Sequence, residues 1–216
     1  MFMNDTPCAD ISSLKGAILP PEGLDILRSV EHDWRRMSGN AARPAVLGPD
    51  PFRMDLALPH TFILQRTAPG AARVRVAGQK LHDMVQLDPR GMSFGVFFSE
   101  GARETVLELV ETALTLPAII RIPLHSPRGF GRKPHRAEAL LLPLRDAQGG
   151  LSRLMGVIVS ERPLRMKALH WDIDPSRSLH CDQLEGAFPD RRQGPRTTAP
   201  TGLRLVVDNA GVLETG

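Results

Sequence analysis

Six residues between positions 170 and 182 are of types that bind metals: His170, Asp172, Asp174, His180, Cys181 and Asp182. Structural zinc sites group such ligands at close, repeated spacings inside an apolar framework, and this run has neither. Metal binding is not expected. The densest basic stretch is Arg128-Gly129-Phe130-Gly131-Arg132-Lys133, followed by His135 and Arg136. Glycine N–H groups and guanidinium groups can together hold a phosphate. No strand-to-helix turn follows, so loop 128–136 is neither a Walker loop nor a dinucleotide fingerprint, and a solvated hairpin tip is the simpler expectation. A second basic spot, Arg191, Arg192 and Arg196, lies in a polar stretch and would help only by avidity. Ser, His and Asp occur without a Gly-x-Ser-x-Gly elbow or another nucleophile motif, so no catalytic residue is named and no enzyme activity is expected.

Composition narrows the class. At 42% hydrophobic and 24% charged, the 216-residue chain reads as a soluble globular protein of one main domain with additional arms. A net charge of +3 is carried mostly by Arg scattered among acids, which reads as a solvated surface before it reads as a nucleic-acid footprint. Only Cys8 and Cys181 are present, one near each end, so no disulfide framework is implied. The first ten residues lack a basic region followed by an apolar core, and no apolar run is long enough for a bilayer. A cytoplasmic location is the expectation, with no membrane contact.

The elements that would position any site are clearest between residues 117 and 161. Three apolar runs, 118–124, 139–144 and 154–159, are short, branched and bounded by turn residues, as strands are. Their short links predict an antiparallel meander. Upstream, Leu24, Leu27, Val30, Trp34 and Met37 recur at helical spacing, which predicts an amphipathic helix whose stripe covers its own sheet or a partner's helix. Residues 61–66 and 73–77 make a hairpin about Pro69-Gly70, and residues 79–85 a short helix. Residues 100–116 form a longer helix, with Ser99 as its N-cap and Pro117 as its stop. Three regions follow: a flexible arm over 1–19, a domain over 20–165, and a mostly loose tail over 166–216, whose density of Pro, Asp, Arg and Ser can bury little. Within that tail Leu203-Arg204-Leu205-Val206-Val207 is a short strand-like piece.

The order helix, two strands, short helices, one longer helix and three strands resembles a PAS domain. The likeness rests on Phe62-Ile63-Leu64, Arg73-Val74-Arg75-Val76-Ala77-Gly78, Leu81, the turn Asp88-Pro89-Arg90-Gly91, the long helix and the closing meander. Trp34-Arg35-Arg36-Met37 with Leu58-Pro59-His60 resembles, more narrowly, a family of short bacterial PAS proteins without an attached output domain. The resemblance implies an α+β fold: a five-stranded antiparallel sheet with helices over one face, preceded by the amphipathic N-terminal helix.

It also implies a sensory or regulatory role in signal transduction. The family cavity would be lined here by Met84, Phe94, Phe97, Val106, Leu109, Leu140 and Val157, which are equally the residues of a packed core. A haem-binding PAS domain needs an axial histidine on the covering helix, and the nearest is His82 on the short segment before it. The flavin photosensor branch needs a cysteine near the short helices, where neither Cys8 nor Cys181 lies. The cofactor is left open. The leading expectation is a non-enzymatic module acting through protein–protein contacts, with Leu24, Leu27, Val30, Trp34 and Met37 as partner or homodimer surface. The alternatives are a haem or metabolite sensor using the cavity, and nucleotide or nucleic-acid binding through loop 128–136.

Overall fold

The structure, a computed structural model, describes residues 19–38, 45–46, 56–126, 135–146, 149–162 and 170–184. Helix α1 (Pro21–Ser38) precedes the short strand β1 (Ala45–Val46) and a 3-10 turn at Leu58–His60. The hairpin β2 (Thr61–Ala68) and β3 (Ala71–Ala77) follows, its two-residue turn closed by Gly70 at φ +69°. Then come α2 (Gln79–Val85), a 3-10 turn at Phe94–Phe97 and α3 (Glu100–Thr115). The meander is β4 (Ala118–His125), β5 (Arg136–Arg145) and β6 (Leu151–Ser160). Two further short strands, β7 (Asp172–Ile173) and β8 (His180–Gln183), complete the described chain.

The five long strands form one antiparallel sheet in the order β3-β2-β6-β5-β4. The hairpin and the meander are thus joined by pairing the first long strand to the last, Phe62 facing Gly156 and Leu64 facing Leu154. The sheet exceeds the five strands expected: β1 pairs in parallel with the end of β5, and β7 and β8 both pair with β4. Residues 172–173 and 180–183 therefore belong to the sheet, which corrects the expectation of a loose tail over that part of 166–216. Their polar composition concealed this, because a two- or four-residue strand needs only backbone groups and an open edge.

Both faces of the sheet are covered. On the inner face, α2, α3 and the Phe94–Phe97 turn enclose one apolar cluster, with Phe62, Leu81, Met84, Val106 and Leu141 all fully buried. On the outer face, α1 covers a second cluster built on Leu142, Leu144, Met155 and Val159. Burial on both faces explains why β5 reads as an unbroken apolar run and not as an alternating one. The expected cap on α3 takes a different form. Ser99 stands at the N-cap, but its side chain donates to Asp172 Oδ1 on β7 instead of capping its own helix.

Candidate functional site

The inner compartment is organised by aromatic rings. Phe62 on β2 stacks on Phe94 with centroids 5.2 Å apart, and Phe98 meets Phe94 edge-on at 5.1 Å. Phe97 lies 5.8 Å from Phe94, so four rings gather about Phe94 between sheet and helices. Of the cavity residues named from sequence, Met84, Phe94, Phe97, Val106 and Leu109 converge in this cluster. Leu140 and Val157 do not. They face each other across β5 and β6 on the outer face, beneath α1, while their neighbours Leu141 and Ile158 point inward. A strand buried on both sides carries no polar alternation to show which of two adjacent apolar residues faces which way. Phe62, Phe98 and Trp171 were missed. Trp171 lies in a polar stretch with no apolar period, yet it is fully buried against this core.

The outer face settles where the amphipathic stripe goes. Leu27, Val30 and Trp34 are buried in the second cluster, Leu24 is partly buried against it, and Met37 is 41% exposed. Trp34 Nε1 donates to the Pro143 carbonyl at 3.1 Å. The expectation that these five residues form a partner or dimer surface is corrected for the three buried ones, since their apolar area is already used within the chain. Beside the stripe lies a chain of ion pairs. Arg121 on β4 contacts Glu31 of α1, and its Nη1 is 3.2 Å from Glu138 Oε1 on β5. Glu138 Oε2 accepts from Arg177 Nη2 at 2.6 Å, while Arg35 bridges Glu31 and Asp182. Glu138 is only 8% exposed between two guanidinium groups. Glu138→Gln removes the charge shared by Arg121 and Arg177, and is expected to cost about 2 kcal/mol in urea unfolding, within the range for an uncompensated, partly buried pair.

Of the six residues considered as metal ligands, the three carboxylates have other partners. Asp172 accepts from Ser99, Asp174 accepts from the backbone and hydroxyl of Ser176, and Asp182 pairs with Arg35. His180 is exposed on β8, and burial pushes the Cys181 thiol up, which leaves it a poor nucleophile. His82 is half-buried on α2. Residues 127–134, most of the basic loop, lie outside the described residues, as do Arg191, Arg192, Arg196, Cys8 and the strand-like piece 203–207.

Two histidines are held below their ordinary range. Burial is the main cause for both, opposed by hydrogen bonds to carbonyl oxygens: His60 Nδ1 to Ile158 at 3.0 Å, His135 Nε2 to Arg162 at 3.0 Å. The folded state resists protonating them, so their contribution is complete above the ordinary histidine value. It is lost as pH falls from there through their lower folded values. The urea midpoint should therefore drop between about pH 7.5 and about pH 5, and His60→Gln with His135→Gln should flatten that slope.

The strand order, the helices crossing the inner face and the long β2–β6 pairing agree with a comparison against protein families, which matches residues 25–159 to the PAS domain. The chain belongs to the PAS domain family. PAS domains are sensory and signalling modules, and the α+β fold expected from the resemblance is the fold observed. Among solved structures, this PAS domain is similar to a light-oxygen-voltage domain studied with a flavin analogue. Identity is 16%, the match covers 52% of this chain and 87% of that chain, and the TM-score is 0.39. No curated protein matches the chain. Among the described residues, no helix is long and apolar enough to cross a membrane.

Proposed function

We propose that this PAS domain is a non-enzymatic regulatory module that works through contacts with a protein partner. The observation that carries the reading is the placement of exposed apolar side chains at the open end of the β2–β3 hairpin. Leu56 is 82% exposed, Leu58 50% and Val76 56%, and Gly78 at the end of β3 packs on the backbone of Leu58 and Pro59. Apolar residues gathered at one corner are what a partner covers. The double variant Leu58→Asp with Val76→Asp should keep the melting temperature within a few degrees and lose the partner recovered by affinity purification. Recovery of the same partner by both proteins would overturn the proposal.

One observation favours a second reading, a small-molecule sensor. Trp171 Nε1 is buried and has no hydrogen-bond partner among the described residues, and an acceptor group on a ligand would satisfy it. Native mass spectrometry on fresh protein tests this directly. A mass excess that vanishes on denaturation supports the sensor; bare chain mass, with no thermal shift across a metabolite panel, counts against it.

A further inference from the structure

We propose that the outer face of the β2–β3 hairpin, with the adjoining part of β6, receives an acidic segment of the protein partner. Its carboxylates meet Arg73, Arg75 and Arg153, and an apolar side chain meets Val76. This rests on the protein-contact reading above and adds the chemistry of the partner.

Strand register brings the three arginines together. Gln65 of β2 stands opposite Arg73 of β3 on one side and Arg153 of β6 on the other. The next row, Val74, Leu64 and Leu154, belongs to the inner cluster, so the row of Gln65 looks out from the outer face. Adjacent strands lie about 4.8 Å apart, which sets the backbones of Arg73 and Arg153 about 10 Å apart. Arg75 falls at the irregularity in the hairpin pairing, and its Nε donates to Gln65 Oε1 at 2.8 Å, which adds a third guanidinium group to the row. On the same face, Ile63 is paired with the exposed Val76.

Charge says what covers this face. Among the described residues, Arg35, Arg66, Arg90, Arg121 and Arg177 each meet a carboxylate. The three outer-face arginines meet none. Arg73 donates to the Gly91 carbonyl at 2.7 Å, Arg75 to the Gln65 side chain, and Arg153 Nε is buried without a hydrogen-bond partner. Glu111, the acid beside the hairpin, lies on the inner side against Arg66. Like charges gathered this closely repel one another, and burial of Arg153 Nε weakens the screening by water. Carboxylates brought to the row relieve both. The surroundings select the kind of acid. A nucleic acid or an anionic bilayer presents phosphates at length and is met by basic groups spread over a wide area. Here the cations form one row, bounded by Val76 and the exposed Leu58 at one end and by Leu144, buried beneath α1, at the other. A short protein segment with acidic and apolar side chains matches that pattern.

The test selects random dodecapeptides displayed on phage against the full chain, against Arg73→Glu with Arg75→Glu, and against Arg28→Glu with Arg36→Glu. The last pair makes the same change in net charge on the exposed side of α1. The parent and the α1 variant should both select peptides enriched in Asp and Glu beside an apolar residue. The best of these, synthesised and labelled, should bind the Arg73→Glu, Arg75→Glu protein about tenfold more weakly or worse. The milder Arg73→Gln with Arg75→Gln should also weaken binding, at an unchanged melting temperature. Selected peptides no more acidic than the library, unchanged affinity in the Gln variant, or an equal loss in the α1 variant overturns the inference. So does tighter binding of a labelled single-stranded oligonucleotide or of phosphatidylserine vesicles, lost with Arg73 and Arg75, since that assigns the row to phosphate. Affinity purification separates this inference from the reading beneath it. A partner kept by the Arg73→Glu, Arg75→Glu protein but lost by Leu58→Asp with Val76→Asp overturns the acidic segment and leaves the protein contact standing.

Discussion

Trp34→Ala is expected to lower stability by about 3–5 kcal/mol, much of the total for a domain of this size. The ring is 1% exposed in the outer cluster, and its N–H ties α1 to the Pro143 carbonyl at 3.1 Å. Removing it opens a large cavity and leaves that carbonyl unpaired. The charged double variant Leu27→Asp with Trp34→Asp should unfold the outer layer altogether. From sequence alone the same double variant would break a partner contact while leaving the core folded, and the burial of both residues reverses that expectation. Met37→Asp, on the exposed end of the stripe, is the control and should stay within about 0.5 kcal/mol of the parent. Urea unfolding followed by circular dichroism separates the cases; equal midpoints for the Trp34 and Met37 variants would refute the placement of α1.

Gly156→Ala should be comparably damaging although it adds a single methyl group. A Cβ at that position would lie 2.0 Å from Phe62 Cζ and 2.3 Å from Cε2, far inside contact distance. Phe62 is fully buried and stacked on Phe94, so its ring cannot step aside without disturbing the other rings. Overpacking of this kind costs about 3 kcal/mol or more. The effect should be specific to the pair. Phe62→Leu in the Gly156→Ala background should recover part of the loss, giving a favourable coupling energy of about 1–2 kcal/mol in a double-mutant cycle. Additive losses would show that the clash lies elsewhere.

Gly156 also shows how far the sequence could be read. A glycine in a strand marks a weak point or a close approach, and the residue that approaches can only be found by placing β2 against β6, ninety-odd positions apart in the chain. The cavity set had the same limit. Met84 sits on a short helix whose polar neighbours show which side is buried, whereas Leu140 and Val157 lie in runs that are apolar throughout. Glu138 and Arg121 give no signal as single charges in apolar strands; they pair with each other across β4 and β5, and their further partners come from α1 and from residues 170–184.

The sequence by itself determined the kind and order of the main elements: an amphipathic helix, a hairpin, a short and a long helix, and three closing strands. These follow from local causes, namely the period of apolar residues, turn chemistry and stops such as Pro117, all felt within a few residues. Its residues 25–159 also carry the PAS pattern itself. Tertiary structure alone decided which face each apolar residue meets, that α1 spends its stripe on its own sheet, and that residues 170–184 close the β4 edge. Those outcomes depend on pairings between distant segments. Backbone hydrogen bonding holds a strand regardless of its side chains, and a sheet's two faces look alike in sequence until something is laid on each.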